Sequence, residues 1–160
     1  MAQFFCRFAS LRRSPHFHQG NNPVIVADYL GRHKDSFYQL VKLADTTSAA
    51  VVDLNSRLNF PSSHPLALTG SDILREADLI LALDVRDLYN TFTEIDRETG
   101  AHTPVISPKA KIVDIGLGDL GISKWAHDYQ RLQEVDLQVI GDTRVILPLL
   151  LEHCEGLLRG

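Results

Sequence analysis

The stretch that decides the fold of this chain runs from Lys111 to Leu151 and reads KIVDIGLGDLGISKWAHDYQRLQEVDLQVIGDTRVILPLLL. Its residues predict a short apolar strand at Lys111–Ile115, a glycine-rich turn and a second strand at Val135–Ile140. The sequence Gly141-Asp142-Thr143 then opens a leucine-rich helix that is predicted to end near Leu158. Strand, turn, strand and capped helix at these lengths are typical of the closing part of a parallel α/β sheet. In such sheets, ligands bind at the carboxyl ends of the strands.

The rest of the chain shows the same alternation of strand and helix. Continuous apolar runs, which are typical of strands buried on both faces, predict strands at Pro23–Ala27, Ala49–Leu54 and Asp78–Leu83. Apolar spacing and capping residues predict helices at Lys34–Ala44, Asp72–Ala77 and Leu88–Glu94. Because strands separated by helices imply right-handed parallel crossovers, the chain is expected to be α/β. The expected architecture is a doubly wound, Rossmann-like, mostly parallel sheet of about five to six strands flanked by helices.

Composition excludes several classes of partner. The chain has 160 residues and a formal net charge of -4, which fits one domain and gives no reason to expect nucleic acid or an anionic membrane surface. No run approaches the roughly 18 apolar residues that a membrane helix needs. The two cysteines, Cys6 and Cys154, form no CxxC pair and are predicted to be reduced thiols. These features favour a cytoplasmic protein.

Residues 1–20 differ in kind from the remainder. They contain Arg7, Arg12 and Arg13 and no acidic residue, which is how organellar import sequences are composed. The other interpretation is a disordered or non-native start, such as a shifted reading frame joined to a genuine domain. The second interpretation is favoured because the apolar residues show little helical period. It places the domain at residues 21–160.

Three features of the sequence occur together in one known family. They are Phe60–Pro65 (FPSSHP), Ala77–Leu83 (ADLILAL) and the Gly141-Asp142 pair that precedes the LPLL run of the last helix. In their order and spacing, these features resemble the central domain of thiamine-diphosphate-dependent enzymes, particularly acetolactate synthase and benzoylformate decarboxylase-like proteins. The resemblance spans residues 21–151.

The resemblance implies that this chain lacks a complete active site. In the family, a preceding domain supplies a glutamate that activates the thiamine ring. A following domain supplies a Gly-Asp-Gly motif and an asparagine that hold the magnesium diphosphate. Here Asp119 is followed by Leu120, Asp142 is followed by Thr143, and no asparagine follows Asn90. The expected role is therefore that of a fragment or split subunit of a carboligase or decarboxylase, contributing a structural central domain. Its expected partners are the missing pyrimidine- and diphosphate-binding domains, in an enzyme that is a homo-oligomer when complete.

A second role in the same family is binding of FAD or ADP by the central domain. The residues at the predicted strand ends are the candidates for such a crevice, and they are Asp28, Asn55, Ser56, Val85, Arg86, Asp114, Ile115, Asp142 and Thr143. Arg86 could meet a phosphate, whereas Asp28 would oppose one by its charge. Asp142 and Thr143 also make a good helix N-cap. The alternative function is a free-standing module that binds FAD, ADP or NAD.

The sequence Gly116-x-Gly118-x-x-Gly121 spells a dinucleotide fingerprint after a strand. The motif also needs an acidic residue about twenty residues on, at the end of the next strand. Asp136 stands at that distance but begins its strand. The sequence therefore favours a tight turn with glycine at positive φ over an NAD site.

The remaining polar candidates are predicted to be structural. His64 and His127 could serve as bases only beside a nucleophile, and no nucleophile-elbow sequence is present. Both are therefore interpreted as surface or turn histidines. The scattered acidic residues between the third and fourth predicted sheet strands are expected to be solvated; they are Asp84, Asp87, Glu94 and Asp96.

Overall fold

The computed structural model describes residues 22–118 and 131–159. Its strands are β1 (Pro23–Ala27), β2 (Ala50–Asp53), β3 (Leu79–Leu83), β4 (Thr93–Ile95), β5 (His102–Pro104), β6 (Lys111–Gly116) and β7 (Leu137–Ile140). Its helices are a 3₁₀ turn (Leu30–Arg32), α1 (Lys34–Thr47), α2 (Ile73–Glu76), α3 (Leu88–Thr91) and α4 (Thr143–Arg159).

Five of the strands form one parallel sheet in the order β2-β1-β3-β6-β7. Strands β1, β2 and β3 are buried along their whole length, as their uninterrupted apolar sequences predict. The prediction of a doubly wound, Rossmann-like α/β domain is confirmed. The order also fixes where the winding reverses, because β1 and β3 are neighbours while β2 lies on the far side of β1.

Each face of the sheet carries its own apolar core. Alternate residues of β1 point to opposite faces, so that Ile25 joins one cluster while Val24 and Val26 join the other. The first cluster includes Leu40 of α1 and Leu147 of α4, both fully buried or nearly so. The second cluster is centred on Phe92, Ile80 and neighbouring side chains. Strands β1, β2 and β3 are therefore covered on both faces of the sheet, whereas the edge strand β7 is largely exposed.

The region between β3 and β6 corrects one helix prediction. The predicted helix Leu88–Glu94 ends at Thr91, and the chain then forms the antiparallel hairpin of β4 and β5. The turn between them uses Asp96, whose carboxylate accepts the amides of Glu98 and Thr99, and Gly100 at φ 69°. Local side-chain hydrogen bonds to the backbone therefore outcompete helix continuation here.

Helix α4 corrects the prediction about the cysteines. Cys154 is fully buried and disulfide-bonded, so the expectation that it is a reduced thiol is wrong, whereas Cys6 lies outside the described residues. The absence of a CxxC pair does not exclude a disulfide bond, which is why the pattern misled. Within residues 22–118 and 131–159, no helix is both long and apolar enough to cross a membrane.

Candidate functional site at the carboxyl edge of the sheet

Asp28 and Asp84 stand side by side at the point where the winding of the sheet reverses. Asp28 directly follows β1 and Asp84 directly follows β3, and open α/β sheets bind ligands in the crevice outside such strand ends. Asp28 is 5% exposed, and its Oδ2 atom accepts the amide of Arg86 at 3.3 Å. Its Oδ1 atom is buried without a hydrogen-bond partner. This edge is therefore the first place to look for a function.

Asp84 is held by side chains from two distant parts of the chain. The Arg32 guanidinium reaches both carboxylate oxygens at 3.2 Å, and the Thr143 hydroxyl donates to Oδ2. The backbone of Asp84 is left-handed, with φ 51°, a conformation that aspartate tolerates better than most residues. Asp84 thus joins β3 to the 3₁₀ turn and to the start of α4. The prediction that Asp84 is solvated is wrong.

Burial raises the pKa of Asp84 above the usual value of 3.8. The hydrogen bond from Thr143 and the charge of Arg32 oppose this rise, and the nearby charge of Asp142 adds to it. The ionised carboxylate is therefore held at a net cost, since its desolvation outweighs the two favourable partners. Buried carboxylates with raised pKa values occur at functional sites and also in structural networks, so the partners decide between the two.

Gly116 is required by the close approach of β6 to Asp84. A Cβ atom at position 116 would lie 3.2 Å from the Asp84 Cα atom, which is tighter than ordinary contact. Neither Gly116 nor Gly118 has a positive φ, so the prediction of a turn built on positive-φ glycine is wrong for these two residues. Gly121 lies outside the described residues. The glycine of this strand end serves packing between strands.

Asp136 lies at the opposite edge of the sheet from the glycine sequence. It precedes β7 and accepts the Lys111 ammonium at 2.6 Å and the Ile112 amide at 2.9 Å. The hydrogen bond from Lys111 is the main reason why the pKa of Asp136 is lowered. The acidic residue that binds the ribose in a dinucleotide site lies at the carboxyl end of a strand. Asp136 lies before the amino end of β7, so it links β6 and β7 and is not placed to bind a ribose.

Asp53, at the end of β2, is the centre of a second buried network. Its two oxygens accept the amides of Asn55, Asn59 and Phe60 and the side-chain amide of Asn59, at 2.7–3.1 Å. Asn59 in turn accepts the amide of Gly31 at 2.7 Å. These hydrogen bonds close the loop after β2 and attach it to the 3₁₀ turn.

A cleft of about 660 Å³ opens above this network. Its floor includes Phe60 and Ala67, and its polar lining includes Asn55, Ser56 and Arg57. The Arg57 guanidinium also lies over the Tyr29 ring, 5.9 Å from its centroid. The volume falls within the range of small-molecule sites, and the single cation would favour an anionic group.

The candidates at the other strand ends lie in separate places. Val85, Arg86 and Asp114 line a smaller cleft of about 110 Å³ beside β6. Ile115 is fully buried in the apolar core, and Asp142 caps α4 by accepting the Arg144 amide at 2.9 Å. The nine predicted site residues therefore form no single crevice among the described residues.

Two further predicted polar residues have structural partners. The Asp87 carboxylate is buried and accepts the Asn90 amide at the start of α3, so the expectation that it is solvated is wrong. His64 lies 3.2 Å from the Asp45 carboxylate, packs against the Phe60 ring and accepts the Leu66 amide. His64 is thus a turn histidine, as its sequence context predicts. His127 lies outside the described residues.

Arg32 and Asn59 are the important residues that the sequence did not single out. Both make their key contacts across long separations, Arg32 to Asp84 and Asn59 to Gly31 and Ala27. The sequence signal for both residues was weak. Arg32 is a basic residue shortly after the first strand, and Asn59 is an asparagine in a loop that contains prolines.

Fold and edge geometry together define the class: a doubly wound, Rossmann-like α/β domain whose strand-end carboxylates are mostly engaged inside the protein. No family model and no curated protein sequence matches the chain. A solved structure from Mycobacterium smegmatis, described as a "putative thiamin diphosphate-dependent enzyme", is similar over 95% of this chain with a TM-score of 0.59. The sequence identity is 18%, so the likeness shows a shared fold, and the chain spans 27% of the length of that protein.

Proposed function

We propose that this chain is the central domain of a thiamine-diphosphate-dependent carboligase or decarboxylase of the acetolactate synthase-like kind, present as a fragment or split subunit. One observation carries the proposal: nearly the whole chain shares its fold with about a quarter of a longer protein described as depending on thiamin diphosphate. A domain of that proportion leaves room for two further domains. Those domains would supply the activating glutamate and the ligands of the magnesium diphosphate.

The chemistry of the carboxyl edge supports a structural role for the domain. The Asp53 carboxylate is satisfied by four internal donors, and the Asp84 carboxylate by Arg32 and Thr143. Asp28 adds a third buried carboxylate next to Asp84. Three carboxylates at a strand edge would oppose a diphosphate, because the helix and loop amides that bind phosphates act through positive potential.

The cofactors of the proposed enzyme would be bound elsewhere. Magnesium requires hard oxygen ligands in a near-octahedral arrangement, and a thiamine diphosphate site uses an aspartate and an asparagine for this purpose. In the part of the chain that the structure describes, no group of three or more His, Cys, Asp or Glu side chains is arranged to hold a metal ion. The partners proposed for this domain, by its resemblance to the family, are the pyrimidine- and diphosphate-binding domains of a cytoplasmic homo-oligomer.

A second candidate function is a free-standing nucleotide-binding module for FAD, ADP or NAD. The cleft beside Asn55, Ser56 and Arg57 favours it, because its volume suits a small ligand and Arg57 could meet a phosphate. Among the described residues, however, Arg57 is the one cationic side chain that lines this cleft. Established diphosphate sites instead use several backbone amides, often from glycine-rich loops, that point at the phosphate together. The structural role is therefore the better supported of the two.

Sequencing the native transcript beyond the codons for residues 21 and 160 tests the proposal. We expect an upstream frame that encodes a domain with a glutamate in a strand-rich context. Downstream, we expect a Gly-Asp-Gly motif followed by an asparagine. If neither motif lies in the flanking frames, and the purified native chain copurifies with no polypeptide that carries them, the proposal is contradicted and nucleotide binding becomes the leading hypothesis.

A further inference from the structure

The loop after β2 returns to the sheet and pairs with the outer edge of that strand. β2 is the edge strand on one side of the five-stranded sheet. The Val51 amide donates to the Leu66 carbonyl at 2.8 Å, and the Leu68 amide donates to the Val51 carbonyl at 2.9 Å. An edge strand that is covered in this way is protected from pairing with another chain. The position of Leu66 therefore decides whether the edge of β2 is closed.

His64 holds this part of the loop through both nitrogen atoms of its ring. The Leu66 amide donates to Nδ1 at 3.2 Å, and Nε2 lies 3.2 Å from the Asp45 carboxylate of α1. The ring also packs edge-on against Phe60, with 4.8 Å between the ring centroids. The His64 side chain is 18% exposed, so protons from the solvent can reach it. His64 therefore joins the loop both to α1 and to the buried Phe60 ring.

These two contacts determine which ring nitrogen carries the proton of the neutral imidazole. Nδ1 can accept the Leu66 amide only if its lone pair is free, so the proton is on Nε2, beside the Asp45 carboxylate. A second proton from the solvent can then bind only at Nδ1. Protonated Nδ1 is a donor, and it would face the N–H group of Leu66 with no acceptor between them. The hydrogen bond from Leu66 and the imidazolium form of His64 are therefore mutually exclusive.

We propose that His64 is a pH-sensitive switch, which closes the loop after β2 when the ring is neutral and releases Leu66 when the ring is protonated. Among the described residues, Asp45 is the one charged side chain within ion-pairing distance of the ring. Its carboxylate can remain the partner of the imidazolium, whereas the Leu66 amide cannot. Release of the loop also alters the cleft after β2, because Phe60 and Ala67 line that cleft. This inference does not rest on the proposed function.

Nuclear magnetic resonance of the 160-residue chain tests the proposal. At about pH 8, the nitrogen shifts of the His64 ring should show the tautomer that is protonated on Nε2. Between about pH 8 and about pH 5, where histidine ordinarily titrates, the protection of the Leu66 amide against hydrogen exchange should fall by about tenfold. Protection is the exchange rate of the unfolded chain divided by the measured rate. The Ile25 amide in β1 is the internal reference, since its exchange reports unfolding of the sheet.

His64→Asn separates a switch from a purely structural histidine. The Oδ1 atom of asparagine can take the place of Nδ1 and accept the Leu66 amide, but asparagine does not titrate. In this variant the Leu66 amide should keep its protection over the whole pH range. The matched control is His153→Asn, since His153 is exposed on α4 and its replacement should leave the fall in Leu66 protection unchanged.

Three results would overturn the proposal. The first is a neutral His64 ring that carries its proton on Nδ1. The second is Leu66 protection that stays constant in the native chain, relative to the Ile25 reference, as the pH falls. The third is a fall in Leu66 protection that is as large in His64→Asn as in the native chain.

Discussion

Replacing Asp53 by alanine is expected to lower the free energy of unfolding by about 3–5 kcal/mol. The change leaves the buried amides of Asn59 and Phe60 without an acceptor and frees the Asn59 side chain, which would then hold Gly31 less firmly. Buried donors that lose their partner carry the full cost of their desolvation. Urea unfolding followed by circular dichroism measures the loss.

The matched control for this prediction is Asp96→Ala. Asp96 also accepts two backbone amides, those of Glu98 and Thr99, but at an exposed turn. Because water replaces the lost acceptor there, the loss of stability should be much smaller than at Asp53. If the two variants lost the same free energy of unfolding, burial would not explain the stabilising effect of the Asp53 network. That result would contradict the prediction.

Replacing Asp84 by asparagine is expected to make the stability of the domain less sensitive to pH. Burial raises the pKa of Asp84 in the folded protein above 3.8, its value in the unfolded chain. Below 3.8 both states hold the proton, and ionisation has no effect on stability. As the pH rises from 3.8 through the raised pKa, the folded protein gives up the proton less readily than the unfolded chain, so stability falls. Asparagine does not titrate and tolerates the left-handed backbone at this position.

The variant should therefore gain stability relative to the native protein as the pH rises through this window, and then keep that gain. Thermal unfolding between acidic and neutral pH gives the comparison. Glu98→Gln serves as the control, since it removes an exposed carboxylate from the turn between β4 and β5 and reports the effect of net charge. If the stability of Asp84→Asn instead fell relative to that of the native protein as the pH rises, the ion pair with Arg32 would outweigh the desolvation of Asp84. That result would contradict this prediction.

Much of the fold could be predicted from the sequence because its strands are continuous apolar runs. Pro23–Ala27 is a strand with the predicted bounds, and β2 and β3 differ from the predicted strands by one or two residues. The β4–β5 hairpin could not be predicted in this way, because both strands are three residues long and carry polar side chains. Their pairing depends on the turn at Asp96 and Gly100, whose signal is local and weak.

The roles of the edge residues were harder to predict than their positions. The sequence places aspartates at the strand ends but does not reveal their partners. Thr143 is 59 residues from Asp84, and Gly31 is 28 residues from Asn59. Parallel strands bring segments that are distant in the sequence to one edge of the sheet. Until its hydrogen-bond partners are known, an aspartate at that edge could either bind a ligand or hold two segments of the chain together. In the structure, Asp53 and Asp84 hold separate segments of the chain together through hydrogen bonds.

Thermal unfolding of the chain with ADP or FAD tests the central claim most directly, namely that this carboxyl edge holds the domain together and does not bind a nucleotide. A ligand present at about 100 times its dissociation constant stabilises a folded protein by about 2.7 kcal/mol, which corresponds to a shift of several degrees in a domain of this size. We expect no shift with either nucleotide. A concentration-dependent rise with ADP or FAD that is lost in Arg57→Ala would contradict the claim and identify the cleft after β2 as a nucleotide site.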